Sequence, residues 1–203
     1  MKIIIVGGGI AGLSAYLHLL KYLPNAHLTI YESHAPQSSV SHNLNLDNLS
    51  ASTTLVGGGL GISPNGMRVL RALNKELHHA VATQGFPAEH FVFKGANGWT
   101  LGIQRTGDQA VRKKEDDEEV CIASSRHGLW ETLIKAVGTG VIRYRKVVGI
   151  ERDKKQGQIM VELVDSEGNE EIDVADLLIG ADGMKSVVRT ALFDTDKLKP
   201  TYT

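Results

Sequence analysis

Three glycines, Gly7, Gly9 and Gly12, follow a short apolar run near the N-terminus, and Glu32 stands twenty positions beyond the last of them. A strand that ends in this spacing and runs into a helix can bind a pyrophosphate. The first glycine permits the tight turn, the second leaves no side chain in the way, and the third lets the helix approach the sheet. Backbone N–H groups at the helix start then favour the phosphate charge. A carboxylate at position 32 is placed to accept hydrogen bonds from an adenosine ribose, which favours FAD or NAD over a 2′-phosphorylated nucleotide. This junction does not choose between the two cofactors, and a glycine-rich turn that binds nothing is the plainer alternative.

A second strand-to-glycine junction lies near the other end, in ADLLIGADGMKSVVR from Ala175 to Arg189. Gly180 and Gly183 suit a tight backbone path around Asp182, which could also simply cap the helix that follows. Arg126 opens another candidate helix and could be a surface arginine. Glu32 could be a solvated strand end. Trp99 could line an aromatic pocket, although packing in a core or hairpin is the stronger reading. His127 shows no acid or nucleophile partner, and His78-His79 lacks a metal-ligand set and reads as surface.

The elements that must position these residues are legible in outline. Ile3 to Val6 suits a central parallel strand, Ile10 to Leu20 a helix ending near Pro24, and Leu28 to Tyr31 the next strand, together one βαβ unit. Ser33 to Ser52 is polar and without period, a long loop whose order depends on a ligand. Ser63-Pro64-Asn65-Gly66 leads into Met67, Leu70, Leu73 and Leu77, spaced as on one helix face. Phe91, Phe93, Trp99, Leu101 and Ile103 flank a Gly95-to-Gly98 turn as a hairpin. The run Arg112 to Val120 reads as a solvated loop. Ser125 can cap a helix burying Leu129, Leu133 and Val137. Three β segments follow, Val141 to Ile150, Gln158 to Val164 and Glu170 to Val174, with turns at Asp153 to Gly157 and Asp165 to Asn169.

The expected fold is therefore α/β: a Rossmann-like core with an inserted antiparallel β-sheet lobe, the two intertwined. The segments assigned are 1–84 for the N-terminal part of the nucleotide-binding domain and 85–120 for the first part of the lobe. A returning helix takes 121–140, a β-rich segment 141–174, and the second glycine junction with its tail 175–203. A formal net charge of -1 offers no electrostatic case for nucleic acid. One cysteine, Cys121, excludes an internal disulfide framework, a C-x-x-C redox pair and a cysteine-based zinc cluster. No apolar run approaches the roughly 20 residues that cross a membrane, so the expected location is the cytoplasm.

The stretch from Asp176 through Gly180-Ala-Asp182-Gly183 to Ser186 and Arg189 resembles the second fingerprint of flavin-dependent aromatic hydroxylases and related single-component FAD monooxygenases. Gly59-Leu-Gly-Ile-Ser-Pro-Asn-Gly66 and Arg126-His-Gly-Leu-Trp-Glu-Thr-Leu133 match that family too. The resemblance spans essentially the whole chain and is strongest to salicylate-hydroxylase-like and fungal secondary-metabolite monooxygenases. It implies that Gly7, Gly9 and Gly12 hold the FAD pyrophosphate and Glu32 the adenosine ribose. Arg126 would lie near the ribityl or phosphate portion. Asp182, with Gly183 beside it, would face the cofactor through water and take part in the interaction with reduced nicotinamide. The implied chemistry is NAD(P)H reduction of FAD, formation of a flavin C4a-hydroperoxide, and hydroxylation of an aromatic or other electron-rich small molecule.

Two departures accompany the resemblance. Ser33 stands where the family often has arginine, and no arginine occurs between Ser33 and Met67; histidine does not reproduce arginine's fixed fork of donors. The family also carries a later Gly-Asp motif, and nothing like it occurs between Ala191 and Thr203. The expectation is a truncated chain that stops before the flavin ring and substrate cavity are finished. Its unfinished sheet would expose an edge or apolar patch and favour self-association or a partner chain. Two other functions remain open: a non-enzymatic nucleotide-binding or interaction protein built on this scaffold, and an NAD-dependent oxidoreductase. No Tyr-x-x-x-Lys pair supports the latter.

Overall fold

A computed structural model of the chain describes residues 1–35, 58–106, 119–138, 140–153 and 157–193. In chain order it has β1 (Lys2–Val6), α1 (Ile10–Tyr22), β2 (His27–Glu32), β3 (Gly59–Ile62), α2 (Pro64–Leu73) and α3 (Lys75–Gln84). Next come β4 (Phe86–Ala88), β5 (His90–Lys94), β6 (Thr100–Arg105), β7 (Cys121–Ser125) and α4 (Arg126–Val137). The chain ends with β8 (Ile142–Tyr144), β9 (Lys146–Arg152), β10 (Ile159–Val164), β11 (Glu170–Ala175), β12 (Leu177–Gly180) and α5 (Val187–Phe193). Of the polar stretch 33–52 only residues 33–35 are described. The charged run before Glu119 and the tail from position 194 lie outside the described residues.

The chain divides into two units, one of Met1–Thr53 with Leu133–Thr203 and one of Thr54–Thr132. The first unit is built on a parallel sheet of order β12-β1-β2-β8. Ile3, Ile4 and Ile5 are all fully buried, because a central parallel strand is covered on both faces and alternation disappears. Ile4, Val6 and Tyr31 pack with Val147, Val161 and Leu163 of the antiparallel sheet β11-β10-β9. Local chemistry joins β10 to β11: Asp165 accepts from the backbone N–H groups of Glu167 and Asn169, both at 2.9 Å, and Gly168 takes the left-handed conformation.

The Val141-to-Ile150 segment is not one strand. Ile142–Tyr144 extends the parallel sheet beside β2, while Lys146–Arg152 enters the antiparallel sheet. The division falls at Arg145, whose N–H donates to the Arg143 carbonyl instead of to a ladder.

The second unit holds the three-stranded sheet β3-β7-β4, the helices α2 and α3, and the β5-β6 hairpin. Residues 64–84, grouped by sequence with the nucleotide-binding part, pack in this unit against β4 and β7. The single helix expected through Met67, Leu70, Leu73 and Leu77 is broken at Asn74. That residue is extended, and its side chain accepts from the N–H groups of Glu76 at 2.6 Å and Leu77 at 3.1 Å. It thereby ends α2 and caps α3. Ser63 and Ser125 also cap, the latter accepting from Gly128 N–H at 2.9 Å. Leu129, Leu133 and Val137 form the buried face of α4. The hairpin forms as expected, with Gly98 in the left-handed region of its turn, but its side chains are exposed. Trp99 is 75% exposed, so it packs neither in a core nor across the hairpin.

Candidate functional site

The end of β1 and the start of α1 are shaped by close approach. Gly7 has φ +108°, and a Cβ there would stand 2.4 Å from the Ala181 carbonyl oxygen. At Gly12 a Cβ would stand 1.9 Å from the Gly7 carbonyl oxygen. Both positions exclude any larger residue, since no backbone shift of a few tenths of an ångström relieves such contacts. Gly9 is different: it is extended and a Cβ there would meet nothing within 4 Å among the described residues. Gly9 is also the residue before the first turn of α1; it offers no side-chain cap, and no acidic residue sits in that turn. The first turn of the 13-residue helix thus keeps its partial positive charge beside open space.

Glu32, at the end of β2, reaches over this junction. Its Oε2 accepts from the Gly8 N–H at 2.6 Å, and its Oε1 accepts from the His34 N–H and the Ser33 hydroxyl, each at 3.0 Å. On the neighbouring strand β8, burial and then the Glu32 charge hold the Tyr144 phenol above its ordinary pKa. An open, uncapped helix N-terminus next to an acceptor carboxylate is a donor set and an acceptor set that fit a dinucleotide's pyrophosphate and ribose.

The second junction lies beside the first, because β12 pairs with β1 and Ala181 N–H donates to the Val6 carbonyl at 2.7 Å. Here the carboxylate of Asp182 occupies the start of α5. Oδ1 accepts from Ser186 Oγ at 2.7 Å, and Oδ2 accepts from the N–H groups of Val187 at 2.7 Å and Val188 at 3.2 Å. Gly183 has φ +73°, which a side chain would strain. Asp182 therefore performs the capping that its position after a strand allowed.

Gly7, Gly9, Gly12, Glu32, Asp182 and Gly183 all belong to the first unit. Arg126 belongs to the second, where it starts α4 and its N–H donates to the Gly58 carbonyl at 3.2 Å. His127 does have an acid near it, Glu131, with 3.6 Å between Nε2 and Oε1, and both side chains are exposed. His78 is not at the surface: its side chain is 16% exposed and lies 2.9 Å from Glu119, whose same oxygen is 2.5 Å from Arg71. Ser33 and His34, which touch the Glu32 carboxylate, were not singled out as ligand-shaping residues by sequence. The available signal was their place immediately after the acid.

Asp173 of β11 joins β1 to β2 of the parallel sheet. Lys2 Nζ donates to Oδ1, and the Tyr31 hydroxyl donates to Oδ2 at 2.8 Å. Burial, then the hydrogen bond to Asp173 and its charge, push the Tyr31 phenol up to about 12, against the opposing effect of Arg143. Burial alone would raise Asp173, but hydrogen bonds from Lys2, Tyr31 and Val174 outweigh it and hold the carboxyl below its usual range. Among the described residues no helix is long and apolar enough to cross a membrane.

Fold and site define a Rossmann-like α/β protein with antiparallel sheets added, an architecture shared with solved flavin monooxygenases. Klebsiella pneumoniae HpxO, solved with FAD and uric acid, superposes with a TM-score of 0.63 at 19% identity over 94% of this chain and 41% of that one. The monooxygenase PieE, solved with FAD and substrate, gives 0.69 at 21% identity over 95% and 32%. In sequence the chain is 26% identical over 197 residues to the FAD-dependent monooxygenase pigN of Monascus ruber, covering 97% of this chain and 40% of that protein. It is 26% identical over 198 residues to the 6-methylsalicylate 1-monooxygenase atA of Aspergillus terreus, covering 95% and 39%. No family model matches. In sequence the chain is thus similar to FAD-dependent monooxygenases, and it spans about 40% of the length of the curated relatives it matches.

Proposed function

We propose that this chain binds FAD through its first junction and serves an NAD(P)H-driven monooxygenase acting on a small organic molecule. The observation that carries this reading is the uncapped start of α1 at Gly9, open to a pyrophosphate and bordered by Glu32. In this reading the backbone around Gly7, Gly9 and Gly12 holds the pyrophosphate, and Glu32 accepts from the adenosine ribose. Arg126, Asp182 and Gly183 are assigned to the cofactor by the family resemblance. Bound FAD would supply hydride acceptance from the nicotinamide and activation of oxygen for hydroxylation. The chain's own part is to fix the adenosine and diphosphate ends and to offset the phosphate charge with N–H dipoles.

The test is an FAD titration of the purified chain followed by flavin fluorescence, with Gly9→Trp as the control. Saturable binding by the wild type and its loss in the variant, with unchanged circular dichroism, is the expected result. The same uncapped helix would accept NAD. A folded protein that binds NAD and not FAD would favour the oxidoreductase reading, and one that binds neither would favour a non-enzymatic role. Self-association, or pairing with another chain, is proposed for the β5-β6 hairpin, where Trp99 and Leu101 are each 75% exposed. Sedimentation velocity showing only monomer at all concentrations would overturn the self-association arm, and co-purification of the chain from native extract without another protein would overturn the other.

A further inference from the structure

The single hydrogen of the Ser33 hydroxyl has two acceptors within reach. Ser33 Oγ lies 3.0 Å from Glu32 Oε1 and 2.7 Å from His34 Nδ1. A hydroxyl donates one hydrogen and so serves only one of them at a time. An ionised carboxylate offers about four acceptor sites, two per oxygen. On Glu32, Oε2 uses one for Gly8 N–H, and Oε1 uses one for His34 N–H. When Ser33 also donates to Oε1, that oxygen is full and one site remains, on Oε2. When Ser33 turns to His34, each oxygen has one site free, which is what a ribose cis-diol needs to donate both hydroxyls.

Which way Ser33 turns depends on the proton at His34 Nδ1. In the neutral ring that carries its proton on Nε2, Nδ1 is bare, is the nearer acceptor and takes the Ser33 hydrogen. With the imidazole protonated, Nδ1–H donates to Ser33 Oγ, and the Ser33 hydrogen is left facing Glu32 Oε1. The imidazolium then also stands 3.8 Å from that oxygen, adding a competing charge. Among the described residues the groups that face this relay are Glu32 and Ser33 on its own chain segment, the Gly8 N–H of the glycine turn, and Tyr144 of β8 beside Glu32. Imidazole is the side-chain group whose charge ordinarily changes between about pH 5 and pH 8.

We propose that Ser33 and His34 are positioning residues that set how many ribose hydroxyls Glu32 can accept, making adenosine-dinucleotide binding weaken as His34 takes up a proton. This rests on the reading of the first junction as an FAD site. Losing one hydrogen bond to a charged acceptor corresponds to about tenfold in affinity.

The experiment is FAD titration of the full chain at about pH 8 and about pH 5.5, bracketing the range in which imidazoles titrate. Wild type, Ser33→Ala and His34→Gln are compared, with circular dichroism recorded at both values. Wild type is expected to bind about tenfold more weakly at the lower pH. Ser33→Ala, which has no hydrogen to redirect, is expected to flatten most of that ratio, and His34→Gln to abolish the pH dependence. A structural role for Ser33 would change affinity equally at both values. A flat wild-type ratio, a rise in affinity at low pH, or a ratio unchanged in Ser33→Ala overturns the relay while leaving the FAD site standing. Failure of folded wild type to bind FAD at either pH overturns the site and the relay together.

Discussion

The two glycine-rich junctions stand side by side on neighbouring parallel strands, and they finish their helices in opposite ways. At the first, α1 starts after Gly9 with no side-chain cap from that residue, no acid in its first turn and, among the described residues, nothing within 4 Å of a Cβ at Gly9. At the second, Asp182 fills the start of α5 with its own carboxylate, bound to two backbone N–H groups and a hydroxyl. One helix is left to take an anion from outside, and the other is supplied with one by the chain. Strand, glycine and helix in that order are therefore insufficient to define an anion site. The residue at the cap decides.

The largest expected effect separates the glycines of the first junction. Gly12→Ala places a methyl against the Gly7 carbonyl and should destabilise by about 3 kcal/mol. Gly9→Ala, whose Cβ meets nothing, should melt close to wild type. Thermal melts of the two variants measure the contrast, and equal melting temperatures would remove it.

The Lys2–Asp173–Tyr31 clasp ties β1 to β2, the strands that carry the first junction and Glu32, and β1 also pairs with β12 of the second. Tyr31 is raised from 10.0 to about 12. A raised folded-state pKa gives stability that is fully present below the unfolded value and lost as pH rises through the folded one. Stability should thus fall on the order of 2 kcal/mol between pH of about 10 and about 12, and Tyr31→Phe should remove that dependence. Asp173 is depressed, so its contribution is present above the unfolded carboxyl value and lost as pH falls through the folded one. Denaturant melts across both ranges check the signs, and hydrogen exchange would report whether the first turns of α1 and α5 loosen together.

A smaller effect tests the second junction alone. Asp182→Ala removes the carboxylate from the N–H groups of Val187 and Val188, leaving Ser186 Oγ on the Arg189 N–H, and should cost about 1 kcal/mol, with exchange quickening at Val187 and Val188 and not at the start of α1. The smallest is also the most pointed. Gly9→Asp gives the first junction the second one's device, in a backbone conformation that accepts it. It should stabilise the free chain by roughly 0.5 kcal/mol while abolishing FAD binding through charge repulsion. Binding that survives Gly9→Asp would place the pyrophosphate elsewhere.

Much of this frame was legible without coordinates. Ile3 to Val6, the helix from Ile10, the strand reaching Glu32 and the turns at Asp165 and Gly98 are local in origin. They follow from unbroken apolar runs, 3.6-residue spacing and turn residues. The glycine spacing identified which backbone could face a phosphate. The break at Asn74 had a local signal as well, a capping residue two positions before an acid, but the Leu73-to-Leu77 spacing masked it.

What the residues alone determined was thus the existence and order of the elements and the chemistry available at their ends. Tertiary structure decided which partner each took. Residues 141–150 carry one continuous β signal, yet they divide between two sheets because strand pairing is chosen by neighbours far away in sequence. Asp182 reads equally as ligand or cap until Ser186 and the turn of α5 come within reach of it. His78 looks solvent-exposed until Glu119, forty-one positions on, meets its ring. Periodicity encodes a face to be buried, whereas hydrogen-bond occupancy depends on contacts that only the folded chain creates.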